Sequence, residues 1–144
     1  VITAAGGIDG GWSLYILGGR LTYHYNLADF EHFTVQAKDP LPGGKVAVKL
    51  EYGAKGLKPG GTMNNGATVK LFVNGKQAGE GTVRMSMFRH GAEPFDVGRD
   101  SISPVSPDYK GKGDFAFTGK AEKITFEANR QPGEPPPPKP PMRD

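Results

Sequence analysis

Cysteine is absent from the 144 residues, which rules out disulfides, thiolate zinc sites and cysteine nucleophiles within this stretch of chain. No run approaches the roughly 20 apolar residues that a membrane-spanning helix needs. No segment keeps apolar residues at spacings of three and four over two or more turns, so any helix is expected to be a single turn, near Ser106-Pro107-Asp108-Tyr109. Residues 1–10 show neither a charged start nor a cleavage pattern. Charge of one sign is scarce as well: 18 basic and 15 acidic side chains alternate in sign, and a net charge of +3 without a basic stripe argues against nucleic acid as a partner. A membrane partner has no support either. What is plentiful is glycine, at 22 residues, and proline, at 13, separating short apolar runs. That punctuation points to an all-β chain with one core, large enough to bury roughly two thirds of its unfolded surface.

The strongest local signal is Trp12-Ser13-Leu14-Tyr15-Ile16-Leu17, then Gly18-Gly19, then Arg20-Leu21-Thr22-Tyr23-His24-Tyr25. A Gly-Gly turn supplies the positive φ angles of a tight hairpin. With Leu17 opposite Arg20, Ile16 meets Leu21, Leu14 meets Tyr23 and Trp12 meets Tyr25, all on one face. Residues 31–38 alternate Phe33, Val35 and Ala37 against polar neighbours, and residues 45–52 alternate Val46, Val48, Leu50 and Tyr52 against Lys49 and Glu51. A second hairpin is expected over residues 67–83 around Asn74-Gly75, with Leu71 opposite Ala78 and a bulge near Gly79 or Gly81 that returns Val83 to the inner face. Residues 95–98 read as a short strand, and residues 115–128 as a final one or two with Ile124 and Phe126 inward. The predicted architecture is an antiparallel two-sheet jelly-roll sandwich over residues 1–130. Residues 131–144 hold seven of the 13 prolines and read as a disordered tail outside it. Tyr15, Leu17 and Phe72 fall on otherwise polar faces and are predicted to be exposed.

Gly10-Gly11-Trp12-Ser13-Leu14-Tyr15 followed by Gly19-Arg20-Leu21-Thr22-Tyr23-His24-Tyr25-Asn26 resembles a stretch of the C-terminal domains of bacterial arylsulfatases. Two further stretches follow in the same order. One is Leu71-Phe72-Val73-Asn74-Gly75-Lys76-Gln77-Ala78-Gly79-Glu80-Gly81; the other begins Phe95-Asp96-Val97-Gly98-Arg99-Asp100-Ser101 and continues to Phe115-Ala116-Phe117-Thr118-Gly119. The resemblance covers most of residues 6–126. It implies a concanavalin A-like, laminin-G-like jelly roll appended to a sulfatase catalytic domain, in a periplasmic or secreted protein. It also implies an additional strand before the stretch matching residues 2–7, so this chain is expected to be a fragment or a truncated product. A strand missing from a sheet edge invites pairing, and a homodimer through that edge is an expected partner arrangement.

Catalytic residues are not expected in this chain alone. Sulfatases use a Cys or Ser opening a Cys/Ser-x-Pro-x-Arg motif, and none of Ser13, Ser86, Ser101, Ser103 or Ser106 does so. Glycosidases on related jelly rolls need two carboxylates about 5 Å apart for retention, yet the nearest pair, Glu93 and Asp96, is interrupted by Pro94. His24 and His32 sit on polar faces of consecutive strands and would be direct neighbours if the connection centred on Ala28. Two ligands do not make a zinc site, and His90 lies in a loop without a patterned partner. Asn64-Asn65-Gly66 lacks the Ser or Thr of a glycosylation site.

The richest polar stretch is Asp96, Arg99, Asp100 and Tyr109. One reading is a ligand site at the rim, with carboxylates for calcium or Arg and Tyr for a sugar or acidic group. The other is that these side chains tie a long loop to the sandwich. Trp12 invites sugar stacking, but its pairing with Tyr25 places it in the core. The functional expectation is a non-catalytic accessory domain, with a stand-alone carbohydrate-binding module second and a small hydrolase third.

Overall fold

The computed structural model describes residues 1–56, 63–87 and 93–127. The remaining positions, which include His90 and the proline-rich tail, lie outside the described residues. The chain is all-β. One antiparallel sheet has the order β10-β1-β2-β3-β4, and a second has the order β5-β7-β8. The strands of the first are β1 (Thr3–Gly7), β2 (Gly10–Leu17), β3 (Arg20–Leu27), β4 (Glu31–Gln36) and β10 (Phe95–Val97). Those of the second are β5 (Val48–Ala54), β7 (Ala67–Val73) and β8 (Lys76–Val83). A ribbon of β6 (Met63–Asn64) and β9 (Ser86–Met87) is a pairing the alternation pattern does not announce, since two residues carry no period. The two large sheets share one core that contains Leu14, Leu21, Tyr23, Tyr25, Val35, Val69, Leu71 and Val83. That arrangement is consistent with a sandwich.

Both hairpins form around the expected turns. Leu17 pairs with Arg20, Leu14 with Tyr23 and Trp12 with Tyr25, and both turn glycines have positive φ, 58° at Gly18 and 77° at Gly19. In the second hairpin Leu71 pairs with Gly79 instead of Ala78, because the register shifts between Leu71 and Phe72. Ala78 is the extra residue, so the bulge sits one position before the glycines and Val83 still arrives fully buried. Gly79 and Gly81 serve a different purpose. A Cβ on Gly81 would stand 2.5 Å from a methyl of Val35, and one on Gly79 would stand 2.9 Å from the Gln36 carbonyl oxygen. These two positions let β8 lie against β4, where Lys38 N–H donates to the Ala78 carbonyl at 3.0 Å. The sandwich is closed along that side.

The opposite side is open. Crossing the inner face of the larger sheet, Val35, Tyr23, Leu14, Thr3 and Val97 occupy one row of paired positions. Val35, Tyr23 and Leu14 are buried in the core shared with the smaller sheet and Thr3 is buried beside them, whereas Val97 is 52% exposed. The adjacent row ends likewise at Phe95, 50% exposed. Three strands cannot cover five.

Three expectations fail here. Residues 115–127 contain no strand, because the alternation is present but meets its neighbours only through isolated bonds, such as Phe117 N–H to Gly98 C=O at 2.8 Å, and no ladder; Ile124 is half-buried and Phe126 is 54% exposed, not inward. The strand expected from residue 45 begins at Val48, leaving Val46 half-buried before it. Tyr15, expected on a solvated face, is fully buried, while Leu17 and Phe72 are half-buried. Leu71 is fully buried between the sheets, so Leu71→Ala should lower unfolding free energy by about 2–5 kcal/mol. A loss under about 1 kcal/mol in urea titration would place its side chain outside the core.

Candidate functional site

Tyr15 is buried because the outer face of β2 and β3 carries a second layer. Residues 98–117 fold back over it, and Val1, Ala4, Tyr15 and Tyr109 form a small core there, with Leu17 and Phe115 packed on its edge. Tyr15 and Tyr109 meet edge to face at 5.1 Å, and Phe115 stacks on Tyr109 at 5.0 Å. The helical turn Pro107–Tyr109 starts where expected: the Ser106 hydroxyl caps it by accepting from Asp108 N–H, and Pro107 has no N–H to leave unpaired.

Asp100 and Tyr109 belong to this layer and not to a rim. Both are buried, and the Tyr109 hydroxyl donates to Asp100 Oδ2, which also accepts Val105 N–H at 2.8 Å. Burial pushes the Asp100 carboxyl above its ordinary pKa, against the pull of those two donors, and the nearby charges of Asp96 and Glu93 push it further. Asp96 and Arg99 stand apart on the surface side. Asp96 Oδ2 accepts from the Ser101 amide at 2.9 Å and the Ser101 hydroxyl at 2.6 Å, with Arg99 Nε 3.8 Å from Oδ1. Burial opposes the Asp96 carboxylate, but the Ser101 donors and the Arg99 charge outweigh it and hold its pKa below the ordinary value. The four candidates thus form two internal ties, the arrangement of a pinned loop. Among the described residues no group of three or more His, Cys, Asp or Glu is placed to hold a metal ion.

Other side chains join this layer that the residue pattern did not assign to the site. The Tyr15 hydroxyl donates to Asp108 Oδ2 at 2.6 Å and lies 3.0 Å from Ser106 Oγ. Asn26 Nδ2 donates to the carbonyls of Gly7, Ile8 and Val105. Glu93 accepts from the Ser103 amide and hydroxyl, and Ser103 Oγ in turn accepts Ile8 N–H at 2.8 Å. The signal available was volume: a tyrosine, a histidine and an asparagine alternate on the outer face of a hairpin whose inner face is equally bulky.

The histidines do meet, though not as direct cross-strand neighbours. The β3–β4 connection centres one residue later than Ala28, so His24 pairs with Thr34 and His32 with Asn26. The rings reach each other diagonally, His24 Nε2 to His32 Nδ1 at 2.8 Å, while His24 Nδ1 lies 2.8 Å from Thr34 Oγ1. One ring nitrogen in the His–His contact must donate and the other accept, so the two rings cannot both be protonated at the facing nitrogens. Burial, reinforced by His32, lowers the His24 pKa from 6.5 to about 4, against the attraction of Asp108.

Between the sheets lies a concavity of about 980 Å³, with Trp12, Leu14, Tyr23 and Tyr25 on its floor and the edge of β5 along one wall. Residues 119–127 run beside it. No protein-family model, curated protein or solved structure matches the chain.

Because the folded His24 pKa lies below the unfolded one, the unfolded chain takes up a proton first as pH falls. Stability should therefore drop between about pH 6.5 and 4, by roughly 3 kcal/mol in the limit. His24→Asn should flatten that part of a stability–pH profile; an unchanged profile would assign the loss elsewhere. Asp100→Ala, which strips two buried donors of their acceptor, should cost about 2–4 kcal/mol, and Asp100→Asn, which keeps an acceptor and drops the charge, under about 1.5. Equal losses in chemical denaturation would show that the charge itself holds the loop.

Proposed function

We propose that this chain is a non-catalytic accessory domain that docks against a larger partner, a concanavalin A-like jelly roll similar to the C-terminal module of bacterial arylsulfatases. The observation that carries the reading is the apolar mouth of the open side, where the exposed Tyr52 and Phe126 line the concavity and the exposed Phe95 packs edge-on against Phe126 and Trp12. Contiguous apolar surface of this kind marks contact sites more often than isolated exposed side chains do. The polar chemistry argues in the same direction. The carboxylates and hydroxyls of the 93–109 region are bonded to the chain's own backbone and to each other, which suits loop anchoring and leaves no arranged nucleophile and base. Following the resemblance, the partner is a sulfatase catalytic domain and the compartment periplasmic or extracellular. The aromatic floor gives the carbohydrate-binding reading its one support, Trp12 being half-buried beneath the mouth.

Mixing the purified chain with an arylsulfatase catalytic domain stripped of its own C-terminal module should give a one-to-one complex in calorimetry. The chain alone should not hydrolyse aryl sulfate above an uncatalysed control. Turnover by the chain would overturn the accessory role. Absence of a complex, with binding to a glycan array instead, would transfer the reading to a lectin-like module.

A further inference from the structure

The open side has an edge as well as a floor. Ala47 and Lys55, which flank β5, bond to the β7 side, Ala47 C=O accepting from Asn74 N–H at 2.7 Å and Lys55 N–H donating to Gly66 C=O at 2.9 Å. In an antiparallel ladder this direction alternates residue by residue. The N–H and C=O groups of Val48, Leu50, Tyr52 and Ala54 therefore point away from β7, toward the space above Trp12 and Phe95. Nothing among the described residues pairs with them.

We propose that this slot takes an extended strand of a partner polypeptide, added to the free edge of β5, with apolar side chains directed onto Trp12, Phe95 and Val97 and acidic side chains turned outward. Three features carry it. The larger sheet exceeds the smaller by two strands, and the inner-face rows lose burial just where the next strand beside β5 would lie. The free backbone groups supply the hydrogen bonds of strand addition, while the slot accepts alternate side chains. The mouth carries more lysine than glutamate: Lys45, Lys49, Lys120 and Lys123 line it against Glu122 and Glu127, with Lys45 paired to Glu122 and Lys49 to Glu51. A second folded copy fits poorly. Joining β5 to β5 of another copy would drive the projecting β1–β10 portions of both larger sheets into the same space.

Residues 119–127 are the competing occupant. They lie beside the slot without joining the ladder, attached by the exposed Lys45–Glu122 pair at 2.8 Å and by Phe126 edge-on to Phe95 at 5.0 Å. An exposed ion pair holds such a segment weakly.

The proposal rests on the docking reading only in taking the open side as a contact surface. The test uses the full chain and a proline-free synthetic peptide of about eight residues alternating valine or isoleucine with glutamate. Trp12, the single tryptophan, reports binding by fluorescence, and amide exchange at Leu50 and Tyr52 reports pairing. The glutamate peptide should bind and slow both amides. The same peptide N-methylated along its pairing edge should bind at least about tenfold more weakly, and a lysine-for-glutamate version about three- to tenfold more weakly. Leu50→Pro, which removes an N–H facing away from β7, should abolish binding while the β5–β7 ladder survives. The idea is overturned if the Leu50 and Tyr52 amides are already slow in the free chain, meaning that residues 119–127 or a second copy hold the edge. Indifference to N-methylation, or no binding by the glutamate peptide, would also overturn it. A catalytic domain that binds when the peptide does not would leave the docking reading standing without strand addition; the reverse would leave strand addition without that partner.

Discussion

Everything in this molecule is arranged around a hairpin, β2–β3, that is bulky on both faces. Trp12, Leu14, Tyr23 and Tyr25 alternate with Tyr15, Thr22, His24 and Asn26, and six of the eight are at most 2% exposed. A strand with large side chains on both sides cannot leave either face to water without forgoing several kcal/mol of burial. One face is met by the smaller sheet. The other is met by a loop, and a loop laid over a sheet brings its own backbone polar groups, which have to be bonded when they are buried. The side chains of Asp100, Ser106 and Asn26 meet that need at Val105 and Asp108, and the Tyr15 hydroxyl adds a bond to the Asp108 side chain. This explains why so much polar chemistry collects in one region of the chain.

The two covers differ in kind, and so do the properties they confer. Over the outer face the contacts are specific: two tyrosines and a phenylalanine in contact, carboxylates accepting named donors, and a capped single turn. Between the sheets the contacts are apolar and end unevenly, since the smaller sheet stops short of β1 and β10. Rigidity is thus concentrated on the side away from the concavity, and the surface available for contact lies on the side held by fewer directional bonds.

Much of the fold was legible in the chain because tight-turn dipeptides and period-2 alternation fix register together. Gly18-Gly19 aligned Trp12 with Tyr25, and Asn74-Gly75 bounded β7 and β8 to the residue. The alternation in residues 115–127 was equally clear, yet no strand formed, because a strand is a relation between two edges and its own residues describe only one. Tyr15 was misread for a related cause: alternation says which side chains share a face, but not that a loop some ninety residues away in sequence covers it. In the candidate site, proximity in sequence suggested one constellation from Asp96, Arg99, Asp100 and Tyr109. The fold splits it in sequence order, burying Asp100 with Tyr109 and leaving Asp96 with the exposed Arg99 on a separate tie.

Gly79 and Gly81 let β4 and β8 lie closer than strands bearing side chains at those positions, while the far side of the sandwich gapes. The body is in effect a wedge, with its thin edge sealed by two hydrogen atoms where other residues carry a carbon. A wedge of this form can widen in one direction only. Added strands, whether from insertion, fusion or association, are accommodated at the thick end without disturbing existing contacts, whereas any lengthening of a side chain at the thin end pries both sheets apart at once. Growth and fragility therefore sit at opposite ends of the same core.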